Sequence, residues 1–315
     1  MDRRGAKVTV VGVGTVGASV AFSLAAGGLA TELALIDVDR RRAEGQAWDL
    51  ADAAAFIKPV NIYAADYPDT VGSAVVVFAA GVPRAPGQSR LSLARQNLDI
   101  LKQTFPRALR YCPEAVYVIV TNPVDVITYA AVRMADVREG QVMGSGTVLD
   151  TSRFKSLLAR HCRVDPRNVH AHVVGEHGDS EVVLWSLASV AGLPIADYCR
   201  ERGIPQPDRA EVVDKVVNAG AGIIARKGAT QFAPSIAVAR IVEAVLRDER
   251  SVLTVSGMVE GVYGLEGPNC FSLPAVVDAR GRQDPLPLAL APDELEALRK
   301  SAARLKEVHR EVGLT

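Results

Sequence analysis

Lys7-Val-Thr-Val-Val-Gly12-Val-Gly14-Thr-Val-Gly17-Ala-Ser-Val-Ala21 joins an apolar run to three spaced glycines and then to a helical stretch. Residues 7–11 read as a buried strand and residues 16–26 as a helix. In such a turn the first glycine permits the tight bend, the second lets backbone approach a pyrophosphate, and the third lets helix and strand pack closely. The amides at the helix N-terminus then face the phosphates. In a chain with 26 glycines the spacing alone is a weak signal, and a plain strand–turn–helix is the alternative. Context strengthens it. Asp37 closes the next apolar run, 20 residues after Gly17, where a carboxylate accepts ribose hydroxyls. Its charge repels a 2′-phosphate and favours NAD, while Arg40, Arg41 and Arg42 nearby keep NADP open.

Working outward, apolar runs at 32–37, 74–79 and 116–120 read as further strands. Helical stretches lie at 40–51, 91–111 and 124–135. Strands alternating with helices predict an α/β protein with a doubly wound parallel sheet. From about Gly146 the pattern changes. A helix at 150–161 leads to a strand at 170–174, long helices at 211–226 and 234–247, and β-rich segments at 251–259, 261–263 and 271–277. The last helix opens with Pro292-Asp293-Glu294 and carries Leu295, Leu298, Ala302 and Leu305 on one face. The expected organisation is a dinucleotide-binding domain over 1–146 packed on a mixed α+β substrate domain over 147–315.

The 36 basic and 36 acidic residues cancel, without a long like-charge block, so neither nucleic acid nor an anionic membrane is an expected partner. No apolar run approaches the length of a membrane span. The first strand begins at Ala6 or Lys7, which leaves no room for a signal peptide. Cys112, Cys162, Cys199 and Cys270 are widely separated and lack metal-ligand spacing, so reduced thiols, no metal and a cytoplasmic location are expected.

Four segments carry candidate chemistry. Gly81-Val-Pro-Arg84-Ala-Pro-Gly-Gln-Ser-Arg90 follows an apolar strand. Its prolines and glycines predict a loop bearing two guanidinium forks, suited to a small substrate with more than one negative group. A solvated basic turn is the alternative. Thr121-Asn122-Pro123 lies at a strand's carboxyl end, where ligands sit in such sheets, and Asn122 reads either as a donor to substrate or as a helix cap. Asp150 and Arg153 stand at i, i+3 on one helical face, as functional groups or as a local ion pair. Gly175-Glu-His177-Gly-Asp-Ser180 offers a histidine able to act as acid or base near neutrality. His161, His172 and His309 read as structural.

Together these segments, with Asn97 and Lys227-Gly-Ala-Thr230, resemble the lactate/malate dehydrogenase family over essentially the whole chain. The resemblance implies a Rossmann sheet with NAD held by Gly12, Gly14, Thr15, Val16, Gly17, Asp37, Gly81, Asn97, Val120 and Asn122. It implies that His177 exchanges a proton with the substrate C2 oxygen, oriented by Asp150. Arg153 would clamp the C1 carboxylate, and Arg90 would polarise the C2 carbonyl, with Asn122 and Thr230 beside them. Closure of the 81–90 loop would expel water. A homodimer or homotetramer is implied as well.

In this family the residue three positions after the loop glycine faces the variable end of the substrate, which puts Arg84 there. An arginine neutralises a second carboxylate and would be left unpaired by a methyl group. Ala233-Pro234 resembles malate-type members too. Gly144-Ser-Gly146, Glu176, Trp185 and Thr230 resemble lactate-type members instead. The expected reaction is malate/oxaloacetate interconversion, a step of the tricarboxylic acid cycle, with pyruvate/L-lactate as the alternative. Lys155 and His170 fall where some members bind an anionic effector, and an exposed basic pair is the simpler reading. A non-catalytic NAD-binding protein would not need His177, Asp150, Arg153 and Arg90 together.

Overall fold

Valine-rich runs buried on both faces set the architecture. The computed structural model describes residues 6–83, 87–134 and 136–314. The first half runs β1 (Lys7–Val11), α1 (Thr15–Ala26), β2 (Glu32–Ile36), α2 (Arg40–Asp52), β3 (Asn61–Ala64), β4 (Val75–Phe78), α3 (Arg90–Tyr111), β5 (Val116–Ile119), α4 (Val124–Met134) and β6 (Val142–Gly144). Every residue of β4 and β5 is buried, because helices cover both faces of a parallel sheet. The six strands pair in parallel in the order β3-β2-β1-β4-β5-β6. That order reverses at β1, and the switch point opens a crevice at the strands' carboxyl ends.

The second half holds α5 (Val148–Cys162), β7 (Val169–His170), β8 (Val173–Val174), β9 (Val182–Val183), β10 (Ser189–Val190), β11 (Leu193–Pro194), α6 (Ile195–Glu201), α7 (Arg209–Val217), α8 (Ala219–Lys227) and α9 (Phe232–Leu246). After these come β12 (Ser251–Leu253), β13 (Ser256–Val259), β14 (Asn269–Ser272), β15 (Ala275–Asp278), β16 (Gly281–Pro285) and α10 (Pro292–Glu311). β13 and β14 add antiparallel to the β6 edge, so the main sheet has 8 strands and crosses between the halves. One hydrophobic cluster likewise joins Phe78, Phe105 and Tyr117 to Phe271, Leu298 and Leu305.

Local chemistry explains most boundaries. Asp39, Ser89 and Asp208 cap α2, α3 and α7 by accepting from Arg42, Ser92 and Glu211 backbone amides. Several expectations change. β3 and β6 were not anticipated. The strand expected at 170–174 divides, because β7 pairs with β10 whereas β8 pairs with β9. The helix expected at 211–226 divides at Asn218. Residues 261–263 form a turn rather than a strand. Arg90 is the first residue of α3 and not part of the preceding loop. No helix among the described residues is long and apolar enough to cross a membrane, and the four cysteines are free and buried.

Candidate active site

The turn after β1 is shaped by contacts only glycine allows. Gly12 has φ of 89°, and a Cβ there would lie 2.5 Å from the Ala80 backbone. A Cβ on Gly17 would lie 1.8 Å from the Gly12 carbonyl oxygen. At Gly14 a Cβ would meet no atom within 4 Å, so the turn faces open space. α1 starts at Thr15 with no side-chain cap and no acidic residue in its first turn. Its leading amides, including those of Thr15 and Val16, are thus suited to an anion. Asp37 tightens the turn by accepting from the Val13 amide at 3.0 Å and from the Asp39 amide at 3.0 Å. Of the arginines that kept NADP open, Arg40 turns away from the turn to pair with Glu44 and Asp66, and Arg42 sits beside Asp37 itself, at 3.6 Å. These residues fit NAD: a pyrophosphate at the glycines and a carboxylate beside the ribose.

The crevice continues along β4 and β5. Asn97 on α3 is buried and ties two loops together: its Oδ1 accepts from the Val82 amide at 2.8 Å, and its Nδ2 donates to the Asn122 carbonyl at 2.7 Å. Gly81 lies against it, since a Cβ there would be 2.5 Å from Thr121 Cγ2. Thr121 donates to the Ala80 carbonyl at 2.8 Å. Val120 ends the strand region with its amide on the Phe78 carbonyl, and the exposed Asn122 side chain marks the rim.

Beyond the rim, charges from α5 and the segment between β8 and β9 converge. Asp150 is 1% exposed on the first turn of α5. Its Oδ2 lies 2.6 Å from His177 Nδ1, and its Oδ1 accepts from Arg153 Nη1 at 2.6 Å. Burial opposes its charge, but His177 and Arg153 outweigh burial and hold the carboxyl below its ordinary range. For His177, burial alone would disfavour the imidazolium. Asp150 above all, with Asp125 and Glu181, reverses this and raises the imidazole to about 9. Arg90 reaches across from α3 to Asp179 and lies 3.9 Å from Glu176.

Two carboxylates here had no expected role. Buried Asp125 on α4 accepts from the His177 backbone amide at 2.7 Å and from the Ser256 hydroxyl at 2.6 Å, which fixes the histidine's main chain. Burial pushes it up to about 6. Glu181 offers a carboxylate oxygen within 4.8 Å of Asp150 and His177 ligand atoms. Burial and the neighbouring Asp150 raise it to about 8, and its Oε1 has no hydrogen-bond partner. Asp125 follows the Thr121–Pro123 segment by two residues, but only burial reveals its job. Glu181 carried no sequence signal.

The remaining expectations scatter. Thr230 is half-buried between α8 and α9, and no hydrogen bond among the described residues joins it to the cluster. Gly220 of α8 comes within 4.0 Å of Arg153 Nη2 by its Cβ direction, so this helix borders the site. Arg84 lies outside the described residues. Lys155 is half-buried rather than exposed, and with His170 it lowers His172, whose own burial is the larger cause. His161 bonds the Pro205 carbonyl, and His309 stacks on Tyr129.

Residues 6–144 match the lactate/malate dehydrogenase NAD-binding domain, and residues 147–313 match the alpha/beta C-terminal domain of the same family. The L-lactate dehydrogenase of Moorella thermoacetica is 45% identical over 311 residues, 98% of each chain. L-lactate dehydrogenase 1 of Clostridium acetobutylicum is 43% identical over 308 residues, 97% of this chain and 98% of the relative. Among solved structures, the minor L-lactate dehydrogenase of Enterococcus mundtii superimposes with TM-score 0.94 at 37% identity, covering 99% of this chain and 100% of the other. A lactate dehydrogenase from a deep-sea metagenome library gives 0.93 at 36% identity, covering 98% and 99%.

These relatives correct the expected malate/oxaloacetate reaction and its placement in the tricarboxylic acid cycle. The expectation gave one loop cation, Arg84, more weight than the scaffold. Substrate choice depends on the whole pocket, and Gly144-Ser-Gly146, Glu176, Trp185 and Thr230 were the better guides.

Proposed function

The chain belongs to the lactate/malate dehydrogenase family and uses NAD, and from that premise we propose that it is an L-lactate dehydrogenase interconverting pyruvate and L-lactate. The observation that carries the reading is the Asp150–His177–Arg153 constellation in a chain whose full-length relatives bear that name. Bound NAD supplies the hydride acceptor, and NADH the donor.

Asp150 occupies His177 Nδ1, so the opposite nitrogen, Nε2, is left for substrate. Protonated, it donates to the pyruvate C2 oxygen; neutral, it takes the proton of the lactate hydroxyl. An imidazole raised to about 9 is charged at neutral pH, which suits pyruvate reduction. Arg153 keeps one nitrogen on Asp150 and has others to clamp the C1 carboxylate. Arg90, half-exposed at the start of α3, is placed to move from its two carboxylates onto the C2 oxygen as negative charge develops there. Glycines 12 and 17 with Asp37 hold the dinucleotide, and Asn97 sets the spacing of the rim. Exposed Phe22 on α1, with Phe232 and Ile236 on the adjacent α9, supports a homo-oligomer.

Steady-state NADH oxidation tests the substrate. A kcat/KM for pyruvate well above that for oxaloacetate is expected, and the reverse order overturns the reading.

A further inference from the structure

Away from the acid–base cluster, a cavity of ≈ 70 Å³ opens between the segment after α4, β13 and β16. Arg282 of β16 enters it and is only 6% exposed. Its backbone amide donates to the Gly140 carbonyl at 2.9 Å, which fixes the strand, and Nη1 donates to the Met258 carbonyl at 3.1 Å. Nε and Nη2 have no partner among the described residues. Those two N–H groups point the same way and form one edge of the guanidinium fork.

The site is built around this side chain. A Cβ at Gly257 would lie 2.6 Å from Arg282 Cδ and 2.8 Å from Nε, so only glycine lets the guanidinium lie there. A buried guanidinium stays charged, and leaving it without an acceptor is costly. Burial pushes its pKa down, while Cys270, Asp284 and Glu139 act the other way. Neither carboxylate forms an ion pair with it among the described residues.

We propose that this cavity is a second carboxylate site, taking a short-chain monocarboxylate whose two oxygens lie on Nε and Nη2 of Arg282. Val137, Val142 and Met258 give it apolar walls for a short alkyl group. Exposed Arg138 and Glu139 at the lining carry opposite charges, so buried Arg282 supplies the net charge for one carboxylate, and a dianion such as phosphate would leave a second negative charge uncompensated. The volume admits a few heavy atoms beyond the carboxylate and excludes anything as large as a nucleotide.

Saturation-transfer NMR of propionate tests this with Arg153→Met protein, in which the substrate-side guanidinium is gone. The propionate signal is expected to persist in R153M and to fall to background in R153M/R282M. Inorganic phosphate replacing chloride at constant ionic strength should not displace it. Signal in both proteins, signal in neither, or displacement by phosphate overturns the proposal. Glu139→Lys in the R153M background is a second variant that leaves the buried arginine intact. It should tighten the propionate Kd about 3- to 10-fold by exchanging a repulsive charge for an attractive one. An unchanged Kd there also overturns the site.

Discussion

The turn after β1 and the cluster around His177 both handle charge, yet the first works with backbone and the second with side chains from distant segments. Gly12 and Gly17 act within a few residues of each other and of the helix they open. Asp150, His177, Asp125 and Ser256 come from α5, the segment after β8, α4 and β13. A backbone site tolerates little steric change but contains little chemistry to lose. A side-chain cluster can keep its shape and lose its reactivity to one atom. The two regions should therefore fail differently.

The largest effect is expected in the cluster. Asp150→Asn should lower kcat for pyruvate about 10²- to 10⁴-fold, since the imidazole loses its orienting charge. NADH binding, followed by fluorescence, should hardly change. A comparable loss of NADH affinity would erase the contrast between the regions. Next, Gly17→Ala forces a Cβ against the Gly12 carbonyl, 1.8 Å away. A cost of about 1–3 kcal/mol is expected, read as weaker NADH binding and a lower Tm, with kcat at saturating NADH largely kept. Smaller still, Asp37→Asn should weaken NADH by about 1–2 kcal/mol and narrow its advantage over NADPH, because Arg42 loses its neighbouring charge. Competition binding would show it.

The subtlest test is the pH profile. With His177 raised to about 9, pyruvate reduction should hold to that pH and decline above it, while lactate oxidation climbs over the same interval. Glu181→Gln removes one of the charges that raise the imidazole, so the limb should move to lower pH. An unmoved limb would assign Glu181 to packing alone. The sign for stability is the same. A histidine raised from 6.5 contributes fully below that pH and loses its contribution as pH rises through about 9, so Tm should fall over that window.

This contrast also explains what could be read in advance. The Gly12–Gly17 turn, β1, β2, β4 and β5 were legible because their signals are local: periodic burial, glycine spacing and a carboxylate at a strand end. β6 is only 3 residues long, too short to show a period, and β3 buries only Ile62, so both were missed. In the cluster, His177, Asp150, Arg153 and Arg90 were individually ambiguous, and family resemblance joined them. Glu181 escaped altogether, because its character comes from the groups folded around it and not from its neighbours in sequence. Arg84 taught the converse: a conspicuous residue was read as decisive when the quieter scaffold was the better witness.

β13 and β14 close the edge that β6 would otherwise leave bare, and a shared core runs beneath them. A polypeptide stopping near residue 146 would end in a raw, sticky border ready to recruit strands from its neighbours. The dinucleotide lobe is thus no detachable cassette. Heating should melt both lobes in a single step, and a graft of either onto a foreign partner would have to bring the missing border along.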